Sequence, residues 1–186
     1  MLEQAIKKQL IDHFKMLDKT ITLRAYKAEH PSYKDLTSLL REVTDLSDRI
    51  SFVEVEGQKD EIRFDILLEE KETGIIFRAI PSGHEFSTLI LAILNASGKG
   101  KMPDAQISEK IRNLKGPINL TSYISLSCEV CPDVVQNLNQ MALLNEHFTH
   151  TIVDGALCPE EVSQMEIHGV PAIFNVLHLG LKIPRL

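Results

Sequence analysis

Apolar residues first recur at helical spacing. Ile6, Leu10, Phe14 and Leu17 fall on one face of a helix near the N-terminus. The period then drops to two over 20–26, where Ile21, Leu23 and Ala25 alternate with polar neighbours as in a half-buried strand. Pro31 and Ser32 open a second helix whose stripe is Leu36, Leu39, Leu40, Val43 and Leu46. Residues 50–55 alternate again. Residues 62–68 and 75–80 predict a hairpin whose turn is the Gly-containing stretch 71–74. Phe86, Leu89, Ile90, Ile93 and Leu94 mark a strongly apolar helix that Ser97 and Gly98 end. A polar connector, 99–103, leads to Asp104, a cap for a helix carrying Ile107, Ile111 and Leu114. Gly116-Pro117 breaks that helix.

A second cycle of the same kind follows. Residues 118–126 predict a strand and 132–144 a helix, with Val134, Val135, Leu138, Met141 and Ala142 facing inward. Then come a strand over 148–153, a turn at Asp154-Gly155, a short helix over 159–165 and a strand over 172–176. The β-α-β-α-β pattern thus occurs twice with additions, without a visible sequence repeat. The fold class is α/β, with mixed sheets flanked by helices.

The 186 residues suffice for one large domain or two small ones. A net charge of −6 without a dense basic block argues against a nucleic-acid partner. Apolar runs such as 89–94 fall far short of the ~20 residues a membrane span needs. The N-terminus alternates charge with apolar residues and lacks the apolar core of a secretory signal, so the expected location is cytoplasmic. Three cysteines are too few for a disulfide scaffold, and in a cytosolic chain a close pair is catalytic or metal-binding.

That pair is Cys128-Glu129-Val130-Cys131, set between a predicted strand and a predicted helix. A C-x-x-C at a helix start is the pattern of a thioredoxin-type redox centre. The unpaired N–H groups and dipole of the helix favour an anion there, and such thiols titrate at about 7 or below instead of ~8.5. Cys128, just before the helix, is the candidate attacking thiol. Cys131, in the first turn and more covered, would resolve the mixed disulfide. Pro132 suits an early helical position, where its missing N–H costs little. Glu129 adds an anion beside the pair and points to a less oxidising centre. The competing reading is a structural zinc site, for which Cys158, His147, His150 and His168 are the other available ligands; none makes a second close pair.

Val170-Pro171 lies 43 positions after Cys128 (171 − 128). Alone, an X-Pro step before a strand is an ordinary trans turn. After a C-x-x-C helix, a strand and a short helix, a cis bond is expected, placing the Val170 backbone beside the sulfurs to receive an extended substrate. Cys158 is read as a satisfied loop or core thiol. His84-Glu85 lacks the second His of a zinc-protease motif. Gly74, Gly83, Gly98 and Gly100 make no dinucleotide fingerprint.

Three segments together carry a family resemblance: TSYISLSCEVCPDVVQNLNQMALLN, TIVDGALCPEEV and IHGVPAIF, with AIPSGHEFSTLILAIL at 79–94 in the first half. They closely resemble the N-terminal region of the alkyl hydroperoxide reductase flavoprotein, over most of the chain to about position 174. The resemblance implies two tandem thioredoxin-like folds, 1–115 without a dithiol and 116–186 with it. Cys128 and Cys131 would be the redox centre, with Pro171 the cis-proline and Val170 beside it. Glu85 would come from the first fold to tune the dithiol, unless it is only a capping or solvated carboxylate.

The implied function is thiol–disulfide electron transfer from a flavoprotein disulfide reductase module to a peroxiredoxin. FAD and NAD(P)H would sit on that separate module, with no cofactor in this chain. In a full-length context the family reading is compatible with a homodimer. The end, NVLHLGLKIPRL, shows neither the turn signal nor the helix length expected there, so the second fold is expected to lack its closing strand and helix, exposing a sheet edge. Two other readings stay open: a stand-alone glutaredoxin-like disulfide reductase, and a non-catalytic truncated fragment.

Overall fold

The computed structural model describes residues 2–175. The expectations for 176–186, including the last residue of the final strand and the incomplete end, lie outside the described residues. The elements run α1 (Gln4–Phe14), β1 (Ile21–Tyr26), α2 (Tyr33–Thr44), β2 (Ile50–Val55), β3 (Arg63–Leu68), β4 (Lys71–Arg78), a 3-10 turn (Gly83–Glu85), α3 (Phe86–Ala96), α4 (Ala105–Arg112), β5 (Ile118–Ile124), α5 (Cys131–Leu144), β6 (Phe148–Asp154), α6 (Pro159–Gln164) and β7 (Ala172–Asn175).

All seven strands form one mixed sheet in the order β2-β1-β3-β4-β6-β5-β7, where the sequence pattern suggests more than one. β1 pairs parallel with β2 and antiparallel with β3. β5 repeats this arrangement, parallel with β6 and antiparallel with β7. The join is a parallel ladder between β4 and β6, running from Ile75↔His150 to Arg78↔Val153. A single apolar cluster runs through the molecule, from Leu10 and Phe14 on α1 to Val135 and Ala142 on α5. α3 is apolar on nearly every side and packs against α5, so it is buried between neighbours.

The hairpin turn differs from the expected one. β3 and β4 are closed by Glu69 and Glu70, both with positive φ (48° and 67°), and Leu68 pairs with Lys71. This two-residue turn has the backbone twist that suits antiparallel strands, although its residues lack the usual Asn-Gly signal. Gly74 instead lies inside β4, at φ +78°, beside an irregularity in the β3–β4 register. A Cβ there would come 2.6 Å from the Phe148 carbonyl oxygen, so glycine lets β6 approach β4.

The helix after the connector also departs from expectation. Asp104 does cap α4, accepting from the Ile107 N–H at 2.9 Å. Only Ile111 of its stripe is buried, however; Ile107 is 48% exposed and Leu114 38%. The end of α4 is held by a polar group instead. The Asn145 side-chain amide donates to the carbonyl of Leu114 and to that of Ile111, which also accepts the Leu114 N–H. The predicted strand over 118–126 ends at Ile124, and Leu126 lies in the turn that leads to the cysteines.

Candidate functional site: the dithiol and its rim

β5 delivers the chain to the C-terminal end of the sheet, where the turn at 125–130 leads into α5. The Cys128 N–H donates to the Ser125 carbonyl at 2.9 Å, closing the turn. Val130 occupies the cap position and Cys131 begins the helix, with Pro132 in its first turn. The two cysteines are disulfide-bonded, with Cα atoms 5.5 Å apart.

Their surroundings differ sharply. Cys131 is 0% exposed and belongs to the apolar core, whereas Cys128 is half-buried. The Cys131 N–H points at the Cys128 Sγ, 3.2 Å away. A helix of this length leaves its first N–H groups without internal partners, and here one of them faces the outer sulfur. Glu129 is exposed, and Val130 is 60% exposed beside the pair.

The opposite rim comes from the segment between α6 and β7. The Val170–Pro171 bond is cis, and the Val170 carbonyl oxygen lies 3.9 Å from the Cys128 Sγ. Val170 is exposed, so apolar surface flanks the sulfur on this side as well. Gly116–Pro117 is also cis, a feature the sequence reading treats only as a helix breaker.

The first half of the chain reaches the site through the Gly83–Glu85 turn. The His84 N–H donates to the Leu126 carbonyl at 3.2 Å, two residues before Cys128, and the turn packs against α5. Gly83 has φ +54°, and a Cβ on it would meet the Leu126 oxygen at 2.7 Å. Glu85 is 1% exposed, so it is not a solvated surface acid, and neither carboxyl oxygen has a hydrogen-bond partner. Burial raises its carboxyl above the usual carboxylate range, against the opposing pull of the Thr88 hydroxyl and of His84.

The alternative metal ligands do not converge on the pair. His150 is fully buried, its Nε2 2.7 Å from the Ser122 Oγ and its Nδ1 2.8 Å from the Asn139 Oδ1. Burial depresses its pKa to about 3, so the ring is neutral. Cys158 is a half-buried free thiol 3.4 Å from the Arg78 Nη2, and burial raises its pKa despite that guanidinium. Among the described residues no group of three or more His, Cys, Asp or Glu side chains is placed to hold a metal ion. No helix among them is long and apolar enough to cross a membrane.

Sequence reasoning misses Arg78, the hub of a polar cluster behind the rim. Its guanidinium forks onto Glu161 and forms an ion pair with Glu61. Its partners are too distant along the chain to leave a local signal.

No family model matches the chain. The alkyl hydroperoxide reductase AhpF of Staphylococcus aureus is 38% identical over 174 residues, which cover 94% of this chain and 34% of the relative. A Bacillus subtilis protein named NADH dehydrogenase is 36% identical over 173 residues, 93% of this chain and 34% of that protein. The chain therefore spans about a third of the length of these curated relatives. Among solved structures, the N-terminal domain of alkylhydroperoxide reductase AhpF from Enterococcus faecalis superimposes with a TM-score of 0.87 at 28% identity, covering 94% of this chain and 90% of that one. A protein disulfide oxidoreductase from Aeropyrum pernix shares the fold, with a TM-score of 0.80 at 16% identity. The chain has a mixed α/β thioredoxin-like fold and is similar, over most of its length, to the N-terminal domain of the alkyl hydroperoxide reductase AhpF.

Proposed function

We infer that this chain is a thiol–disulfide electron carrier, a disulfide oxidoreductase that passes two electrons from a flavoprotein reductase module to a peroxiredoxin disulfide. It would comprise two thioredoxin-like units, 1–115 and 116–186, with Cys128 and Cys131 as the working pair. The repeated arrangement around β1 and β5 supports the two-unit reading. The observation that carries the chemistry is the asymmetry of the sulfurs: one is half-exposed with a helix N–H aimed at it, the other sealed in the core.

In the reduced chain, the Cys128 thiolate attacks one sulfur of the partner's disulfide. A bond forms between Cys128 and that sulfur, and the partner's second sulfur leaves as a thiolate that takes up a proton. Cys131 then loses its proton and attacks Cys128, closing the 128–131 disulfide and releasing the partner's first sulfur as a thiol. The partner gains two electrons and the chain loses two. The Cys131 N–H stabilises sulfur charge at Cys128, both when it attacks and when it leaves. The Val170 carbonyl can accept a hydrogen bond from an extended partner segment. Glu85, buried with a raised pKa, is a proton-holding group near the base of the site in this reading. FAD and NAD(P)H belong to the separate reductase module that restores the dithiol. A cytoplasmic setting, where thiols are kept reduced, suits such a carrier.

Replacing Cys131 by Ser removes the resolving thiol. The reduced Cys131→Ser chain should then trap a mixed disulfide through Cys128 with a disulfide-form peroxiredoxin, seen by mass spectrometry and reversed by dithiothreitol. Absence of that adduct would remove the peroxiredoxin from the mechanism.

A further inference from the structure

We propose that Arg78 is a positioning residue for this exchange: from the half of the chain without a dithiol, it holds α6 and so sets the Val170–Pro171 rim facing Cys128. The proposal rests on the carrier reading and adds to it a residue outside the dithiol.

α6 has six residues and none is fully buried; half-buried Val162 is its apolar anchor, so apolar packing holds it weakly. Arg78, the last residue of β4, supplies the hold. Its side chain is only 19% exposed, with Nη1 3.0 Å from Glu161 Oε1 and Nη2 2.8 Å from Oε2, a two-point fork that fixes direction as well as distance. Glu61, from the segment between β2 and β3, adds an ion pair to Nε at 2.7 Å, without hydrogen-bond geometry. The Cys158 sulfur, at the residue that caps α6, lies 3.4 Å from Nη2.

Tyr123 extends the hold to the far side of the rim. Its hydroxyl donates to Glu161 Oε1, and its ring meets Phe174 of β7 edge-on at 5.7 Å. Burial and the neighbouring Glu161 raise the Tyr123 pKa, which keeps the hydroxyl a donor. Residues 165–171 are therefore gripped at both ends: through Glu161 before them and through Tyr123 and Phe174 after them. Val170, 3.9 Å from the Cys128 Sγ, stands in that span. A partner lying along the rim depends on its position, whereas a small disulfide needs only the exposed sulfur.

The test uses the full chain, reduced, as wild type, Arg78→Met and Arg78→Lys. Three readouts are taken: the rate with the small disulfide 5,5′-dithiobis(2-nitrobenzoate), the rate with insulin as a protein disulfide, and hydrogen exchange of amides 159–171. Arg78→Met should keep the small-disulfide rate within about twofold and lose about tenfold with insulin, chiefly as a rise in KM, since small displacements of a positioning surface carry such factors. Exchange should quicken over 159–171 and stay unchanged in α5. Arg78→Lys, which keeps the charge but not the fork, should fall between. Equal losses on both substrates would make Arg78 merely structural, and no change in any readout would equally overturn the proposal. If Arg78→Met does not fold, Arg78→Lys and Glu161→Gln carry the same comparison. Should the Cys131→Ser chain form no mixed disulfide with a disulfide-form peroxiredoxin, the carrier reading falls, while the exchange data still decide whether Arg78 holds this segment.

Discussion

The two halves of the sheet are built alike and stabilised differently. Of the four buried phenylalanines among the described residues, Phe14, Phe64 and Phe77 come from the first half and only Phe148 from beyond position 115, where Ile124 and Ile152 are also buried. The first half holds stacked Phe64 and Phe77, 4.7 Å apart, and gives Leu23, Leu36 and Leu40 to the same core cluster. The second half ends in α6, with nothing buried, and in β7, which lies at the edge of the sheet. Polar contacts reach it from the other half: Arg78 onto Glu161, and the His84 amide onto Leu126. A dense apolar core thus supports a neighbour whose surface stays open. That division of labour suits the proposed exchange with a protein partner, because burying the rim would close the site.

The largest expected effect tests the dense half. Phe77→Ala should cost about 3–5 kcal/mol, as for a fully buried aromatic in a stacked pair. Ile173→Ala, on an exposed position of β7, should stay within about 0.5 kcal/mol. Chemical denaturation of the two variants checks this, and similar losses at both positions would erase the contrast between the halves.

A smaller effect tests the seam. His150 lies on β6 between β4 and β5, neutral and buried, with its pKa depressed to about 3. In the unfolded chain it titrates near ~6.5, so its contribution to stability is complete above that pH and is lost as pH falls toward its folded value. The slope attributable to one proton is about 1.4 kcal/mol per pH unit in that window. The groups facing it are the Ser122 hydroxyl on β5 and the Asn139 amide on α5, neither of which titrates. Denaturation midpoints between pH 7 and pH 4 should fall for the wild type and flatten for His150→Gln. Parallel curves would assign the acid sensitivity elsewhere.

The elements most legible in the sequence are those whose signal is local. The C-x-x-C at a helix start, the cap at Asp104 and the order of elements that leads to cis Val170–Pro171 all depend on neighbours along the chain. The hairpin turn is not legible in this way. Gly74 carries the stronger glycine signal while serving a close approach to β6, and Glu69-Glu70 adopts positive φ without a residue that favours it. The single sheet is hidden too, since a parallel ladder between β4 and β6 leaves no mark in either strand's own pattern. Arg78 and Glu161 are 83 positions apart, and Ser122, Asn139 and His150 come from three elements. Such clusters become visible only once the sheet brings them together.

The central claim is that one sulfur is activated and the other two are not. Alkylation of the reduced chain with iodoacetamide across pH 5 to 10, read residue by residue with mass spectrometry, tests it directly. Cys128 should react with a midpoint near or below about 7, well under the ~8.5 of a free thiol, while buried Cys131 and half-buried Cys158 react slowly throughout. Equal rates at the three cysteines, or a Cys128 midpoint at the free-thiol value, would contradict the account.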